Sequence, residues 1–177
     1  ALEERAARNI MGNTDIDETA RLTLVNFMEN YKTAFSLQRW DYIESIFSDD
    51  AVIITGRVLQ KSEQLTDAHQ VSLDNVVYTR MSKTEYINRL KRTKKEWINI
   101  KFGSTNVEKS MQDNQYGICL LQDYYSSNYG DHGYLFLLID ATDKDRPVIR
   151  IRTWQPETAG STPFTMGDYD RLISGGL

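Results

Sequence analysis

The stretch GYLFLLID, residues 133–140, sets six nonpolar or aromatic side chains in a row between a glycine and an aspartate. A strand with one face in water alternates polar and apolar residues, and this run does not. It is read as a strand buried on both faces, which needs helices over one face and a second cover over the other. Its surroundings extend the reading. INIKFGSTNVEKS, YGICLLQDYYSS, GYLFLLIDAT and VIRIRTWQ are four strands in sequence, separated by DNQ, NYGDH and DKDR, loops of the composition that hairpins prefer. VIRIRTWQ alternates, with Ile149, Ile151 and Thr153 on one face and Arg150, Arg152 and Trp154 on the other. Because the preceding strand is apolar throughout, pattern alone leaves the register open, and a slip of one residue would exchange the faces.

Upstream of residue 98 the period is helical. Asp15 with Glu18 has the spacing of a capping box, and Leu24, Phe27, Met28, Tyr31, Ala34 and Phe35 then recur on one stripe up to Leu37. Asp41 and Glu44 repeat that spacing around Trp40, Ile43, Ile46 and Phe47, so a short second helix is expected to stop at SDD, 48–50. AVIITGRVL, 51–59, is rich in β-branched residues and reads as a strand. Residues 60–81 are mostly polar and read as an insertion, with NVVYTR as a possible short strand beside the one before. Ser82 and Glu85 cap a third helix carrying Tyr86, Ile87 and Leu90 on one face. Helices first and a meander afterwards define an α+β domain, a curved antiparallel sheet with three helices over its concave face. One domain spans 1–177, with 1–14 as an N-terminal helical extension. The tail, 156–177, carries Phe164, Tyr169, Leu172 and Ile173 and is expected to dock on the body.

The totals exclude several classes. With 177 residues the chain buries a core without disulfides or metals, and its net charge of −4 disfavours a binder of nucleic-acid backbones. The one basic cluster, RLKRTKK at 89–95, falls at a helix end, where cations complement the macrodipole. Cys119 stands alone in an apolar stretch, so it reads as an inert thiol. No stretch reaches the roughly 18 apolar residues that span a bilayer. The chain begins with Ala1 and not Met, which suits one that starts after a removed leader. No G-x-S-x-G elbow, phosphate-cradling glycine loop or H-E-x-x-H helix occurs, and no spacing suggests a metal site or a cofactor. DKDRP, 143–147, resembles the start of a calcium loop but lacks its glycine and closing glutamate, and reads as a turn.

RWDYIESIFSDDAVI, 39–53, resembles the helix, acidic turn and first strand of the nuclear transport factor 2-like superfamily, and the element order matches that fold over 15–155. QDYYSSNYGDHGYLFLLID and RTWQPE resemble exported bacterial members with no assigned activity. The superfamily includes ketosteroid isomerase, scytalone dehydratase, polyketide cyclases and many non-enzymatic modules built on a cystatin-like cone. The resemblance implies an exported protein, periplasmic or secreted, with cytoplasmic residence as the alternative. It also implies a homodimer through the sheet. Anchored on SDDA, 48–51, it places the isomerase's general base at Thr55, which cannot accept a proton usefully near neutral pH, and its oxyanion donor at Tyr31.

The residues themselves offer few substitutes. Asp140 ends an apolar strand and begins DATDKDRP, so its carboxylate can bond the amides of the following turn. In the functional alternative it is partly buried, with Arg150 or Arg152 as its partner. Asp123, inside LLQDYY, can face a cavity or a surface ion pair. His69 sits in the polar insertion and His132 in a hairpin loop, so a dehydratase-like His and Asp pair would need His132 inside the cone. Tyr124, Tyr125, Tyr129, Tyr134 and Trp154 give the meander many rings, which serve packing or line a site for flat ligands. The expectation is a non-enzymatic module binding a small hydrophobic or aromatic ligand through Tyr31, Thr55, Asp123, Tyr125 and Trp154. The alternative is an isomerase, dehydratase or cyclase using Asp123 or Asp140 as base and Tyr31 as donor.

Overall fold

The computed structural model describes residues 16–60, 64–65, 67–73, 75–158 and 162–168. Their elements run α1 (Glu18–Ser36), α2 (Trp40–Ser45), β1 (Phe47–Val58), β2 (Gln70–Leu73), β3 (Val76–Ser82), α3 (Lys83–Arg92), β4 (Ile98–Lys109), β5 (Gln115–Ser126), β6 (Tyr129–Asp140) and β7 (Val148–Pro156). The strands make one seven-stranded sheet in the order β2, β3, β1, β7, β6, β5, β4. All pairings are antiparallel except that of β1 with β7. The chain is thus α+β, and residues 134–139 lie in an interior strand flanked by β5 and β7.

α1 begins one step after Asp17, whose carboxylate accepts from the Ala20 amide at 2.7 Å. The capping carboxylate is therefore Asp17, because it is the one within reach of the first turn's unpaired amides; Asp15 lies outside the described residues. The helix buries Leu24, Phe27, Met28, Tyr31, Ala34 and Phe35 against the sheet. Gln38, in the left-handed region at φ 53°, turns the chain into α2. α2 has no side-chain cap and gives way at Ile46. The acidic stretch 48–50 does not end it as expected but lies inside β1. Pairing starts early because the Ile149 amide donates to the Ile46 carbonyl at 2.7 Å and Phe47 sits opposite Ile149, while Asp49 and Asp50 stay exposed. The insertion holds two strands, of which β3 pairs with β1 and β2 forms the edge. Ser82 caps α3 by accepting from the Glu85 amide at 3.2 Å.

β6 answers for its own composition. Leu135, Leu137 and Ile139 join the main core beneath α1, and Phe136 and Leu138 face the other way. That second face is covered by the chain's own tail: Met166 is buried there, Phe164 packs edge-on to Phe136 with ring centroids 4.9 Å apart, and Cys119 and Ile151 complete the patch. Tyr169, Leu172, Ile173 and the extension 1–14 lie outside the described residues. Gly117 provides the seat, since a Cβ there would stand 2.5 Å from Met166 Sδ and 3.0 Å from Phe136. Gly117→Leu is expected to evict Met166 and cost about 1–3 kcal/mol by overpacking. Limited proteolysis should then cut beyond residue 158 while the body stays intact; an unchanged digest would show that the tail is held elsewhere.

The even alternation expected for 148–155 breaks at a β-bulge. Pairing shifts between Leu138 opposite Ile151 and Ile139 opposite Ile149, so Ile149 shares the inner face with Arg152 and Trp154 while Ile151 turns outward. Arg150 is left at the bulge, where it reaches Asp50 at 3.2 Å and Asp140 at 3.4 Å. NYGDH is also not a loop. β6 starts at Tyr129, so the connection from β5 is residues 127–128 alone, and Asp131 and His132 pair with Tyr124 and Asp123. Polar residues fit this strand end because neither of its faces is closed core. No helix among the described residues is long and apolar enough to cross a membrane.

Candidate functional site

The sheet's concave face and the helices enclose a cavity of about 780 Å³. This falls within the roughly 300–1,000 Å³ of small-molecule sites. α1 supplies Tyr31 and Phe35, α2 Trp40, and α3 Tyr86 and Leu90. The sheet supplies Thr55 from β1, Ile98 and Ile100 from β4, Gln122 and Tyr124 from β5, Asp131 from β6, and Arg152 and Trp154 from β7. The helical stripe and the inward residues of five neighbouring strands converge there because the same parity that buries Leu135 and Leu137 carries on to Asp131.

Arg152 is the unusual member. It is only 8% exposed, its Nε donates to Tyr31 Oη at a long 3.4 Å, and its guanidinium lies 5.1 Å from the centroid of the Tyr86 ring. Its Nη1 is buried without a hydrogen-bond partner. Among the described residues no carboxylate lies within ion-pair distance of it. Burial opposes its charge, but the Tyr86 and Tyr31 phenols and the Asp131 carboxylate outweigh this and hold its pKa above the ordinary arginine value. Burial likewise raises the Tyr86 and Tyr124 phenols, so both keep their protons as donors.

Asp131 is the carboxylate of the cavity. Burial raises its pKa, against a hydrogen bond from Tyr129 and the charges of Arg152 and His132. Its Oδ1 and the Oε1 of Gln122 are both buried and unpartnered. The cavity floor therefore holds one cation with no carboxylate at ion-pair distance and two acceptors lacking donors.

Of the residues named from sequence, Tyr31, Thr55 and Trp154 line this cavity. Asp123 and Tyr125 alternate with Gln122 and Tyr124 and so lie on the opposite face of β5. There Asp123 bonds His132 Nδ1, and Glu157 approaches His132 Nε2 at 2.5 Å. The His132 pKa is raised, first by the bond to Asp123 and then by Glu157. A His and Asp pair does form, but outside the cone. Asp140 is a turn residue: its Oδ1 accepts from the Thr142 amide at 2.9 Å and hydroxyl at 2.6 Å, and Arg150 approaches its Oδ2. Burial works against its charge, yet these bonds prevail and hold its pKa below the usual carboxylate value. Burial pushes the Cys119 thiol up to about 11, so it is protonated and unreactive at neutral pH.

Reading NYGDH as a loop hides Asp131. Counting back by twos from Ile139 through Leu135 to Gly133 would have placed it inside. Arg152 was legible as a charge on the strand, but its isolation depends on the bulge that gives Asp140 to Arg150.

No family model matches the sequence, and no curated protein does. Solved structures do match in shape. A nuclear transport factor 2-like protein of unknown function from Pseudomonas putida superposes with TM-score 0.58 at 9% identity, over 85% of this chain and 95% of that one. A putative scytalone dehydratase from Novosphingobium aromaticivorans gives 0.53 at 9% identity, over 77% and 83%. Bd1075 of Bdellovibrio bacteriovorus gives 0.57 at 15% identity over 78% of this chain and 41% of that chain, so this chain spans less than half of that protein. The chain has the nuclear transport factor 2-like fold. At these identities the likeness carries the architecture.

Proposed function

We propose that this chain is a non-enzymatic module that binds a small hydrophobic or aromatic ligand in the cavity between α1 and the meander. The observation that carries the proposal is the cavity itself: it is open to solvent, walled by Phe35, Trp40, Tyr86, Tyr124 and Trp154, and has Thr55 where the resemblance puts a general base. Thermal-shift screening against steroids, polyketide-like aromatics, sugars and peptidoglycan fragments tests it. At least one class should raise the melting temperature of the wild type and be recovered unchanged. No stabilising ligand in any class would end the proposal.

The second reading is an isomerase, dehydratase or cyclase, an activity that one of the neighbouring structures carries in its name. Asp131 favours it, being a partly desolvated carboxyl in the same cavity as Tyr31. In that reading Asp131, and not Asp123 or Asp140, moves the proton and Tyr31 donates to the developing oxyanion. Conversion of a bound ligand by the wild type and its loss in Asp131→Asn would establish the enzyme; binding of the same ligand without conversion in both proteins would remove it.

Export and a homodimer through the sheet complete the proposal. The tail already occupies the outer face at Phe136 and Leu138, so a dimer would use the part of that face around Tyr125 and Tyr134. Sedimentation velocity at micromolar concentration distinguishes the dimer from a monomer.

A further inference from the structure

We infer that the ligand is a small carboxylic acid with a flat or cyclic body and at least one hydroxyl or N–H donor, its carboxylate received by Arg152 on the cavity floor. The inference rests on the ligand-binding reading above and specifies its chemistry.

Three observations converge on it. The first is the unpaired guanidinium. A cation on the inner face of a central strand, 8% exposed and, among the described residues, without a carboxylate at ion-pair distance, is costly to bury. A bound carboxylate would complete it as the planar, forked partner that guanidinium geometry fits. One charge on the floor matches one charge on the ligand.

The second is the balance of charge around the cavity. Among the described residues Arg89, Lys95 and Arg152 line it against one carboxylate, Asp131, in a chain whose net charge is −4. Arg89 is exposed at the cavity lining, where its field draws an anion in. The cavity is a local reversal of the protein's overall sign.

The third is the pair of acceptors, Asp131 Oδ1 and Gln122 Oε1, each buried without a donor. A ligand hydroxyl or N–H directed at β5 and β6 would satisfy either. Tyr86, Tyr124 and Trp154 between these polar points ask for a flat or cyclic body. A neutral hydrocarbon would leave the cation and both acceptors unmet.

The test uses 6-hydroxy-2-naphthoate, 4-hydroxycinnamate and 3-hydroxybenzoate, each beside its primary amide, with fluorescence of Trp40 and Trp154 as the readout and calorimetry as the check. For at least one pair the wild type should prefer the acid by about tenfold or more, the range expected for one charge-assisted contact. Arg152→Met should abolish that preference, leaving acid and amide alike. Equal binding of acid and amide by the wild type, or a preference that survives Arg152→Met, overturns the carboxylate assignment while leaving the ligand-binding proposal standing. The carboxylate assignment also falls if only neutral members of the wider screen bind. If nothing binds in either experiment, both fall. Arg152→Met should still bind the amide as the wild type does, which separates loss of the preference from loss of the fold; loss of both ligands from a variant whose denaturation curve shows it folded overturns the carboxylate assignment.

Discussion

Arg152→Met is expected to stabilise the free protein by about 1–3 kcal/mol, the cost of a buried donor left without a hydrogen bond. The losses are small: a cation–π contact with Tyr86 at 5.1 Å and a 3.4 Å bond to Tyr31. The gain is relief of a buried guanidinium whose Nη1 has no hydrogen-bond partner. Asp131 keeps its hydrogen bond from Tyr129 when the cation is lost. Burial raises the Asp131 pKa, and loss of the neighbouring cation raises it further. Urea denaturation of both proteins at pH 7 is the measurement. A variant less stable than the wild type would mean that Arg152 holds the cone together and is not kept there for a ligand. A more stable variant with weakened acid binding would identify a position where function is maintained against the interest of the fold.

Leu137→Ala should have the largest destabilising effect, about 2–5 kcal/mol. Leu137 is fully buried, stands opposite Ile118 on β5 and Arg152 on β7, and belongs to the core cluster beneath α1. Three strands and a helix fix its surroundings, so the vacated volume has little means of closing. A loss below about 1 kcal/mol would show that the layer over β6 can collapse, contrary to close packing. Leu138→Ala, one residue along and equally buried, is the informative companion, because its cover includes the tail's Met166. Its cost should be smaller by the amount that the tail can settle inward.

The architecture was legible wherever one face of an element is closed and the other wet. α1 shows its stripe in full, and Ser82 with Glu85 marks the start of α3. The six apolar residues 134–139 announced a strand with two covers, though sequence could not choose between tail and partner. The site was less legible because its geometry depends on departures from regularity. The bulge at Ile149 to Ile151 decides which arginine meets Asp140 and which is left in the cavity, and nothing in VIRIRTWQ marks it. Asp131 was lost to a composition rule: Asn, Gly and Asp close together normally make a loop, whereas here they continue a strand whose end borders a polar cavity. Asp123 and Asp131 could be told apart only through the two-residue turn at 127–128, which fixes their faces.

The place of β7 sets the order in which this chain can be completed. β7, the last of the described strands to leave the ribosome, is inserted between β1, made about a hundred residues earlier, and β6. Until it arrives the β1 to β3 half and the β4 to β6 half each present an open hydrogen-bonding border, the kind of edge that recruits foreign strands. Pairing over so long a separation is intrinsically slow. Translation that halts before residue 148 leaves two sticky fragments and no cone, so the nascent protein is most dependent on chaperones in the interval before β7 emerges.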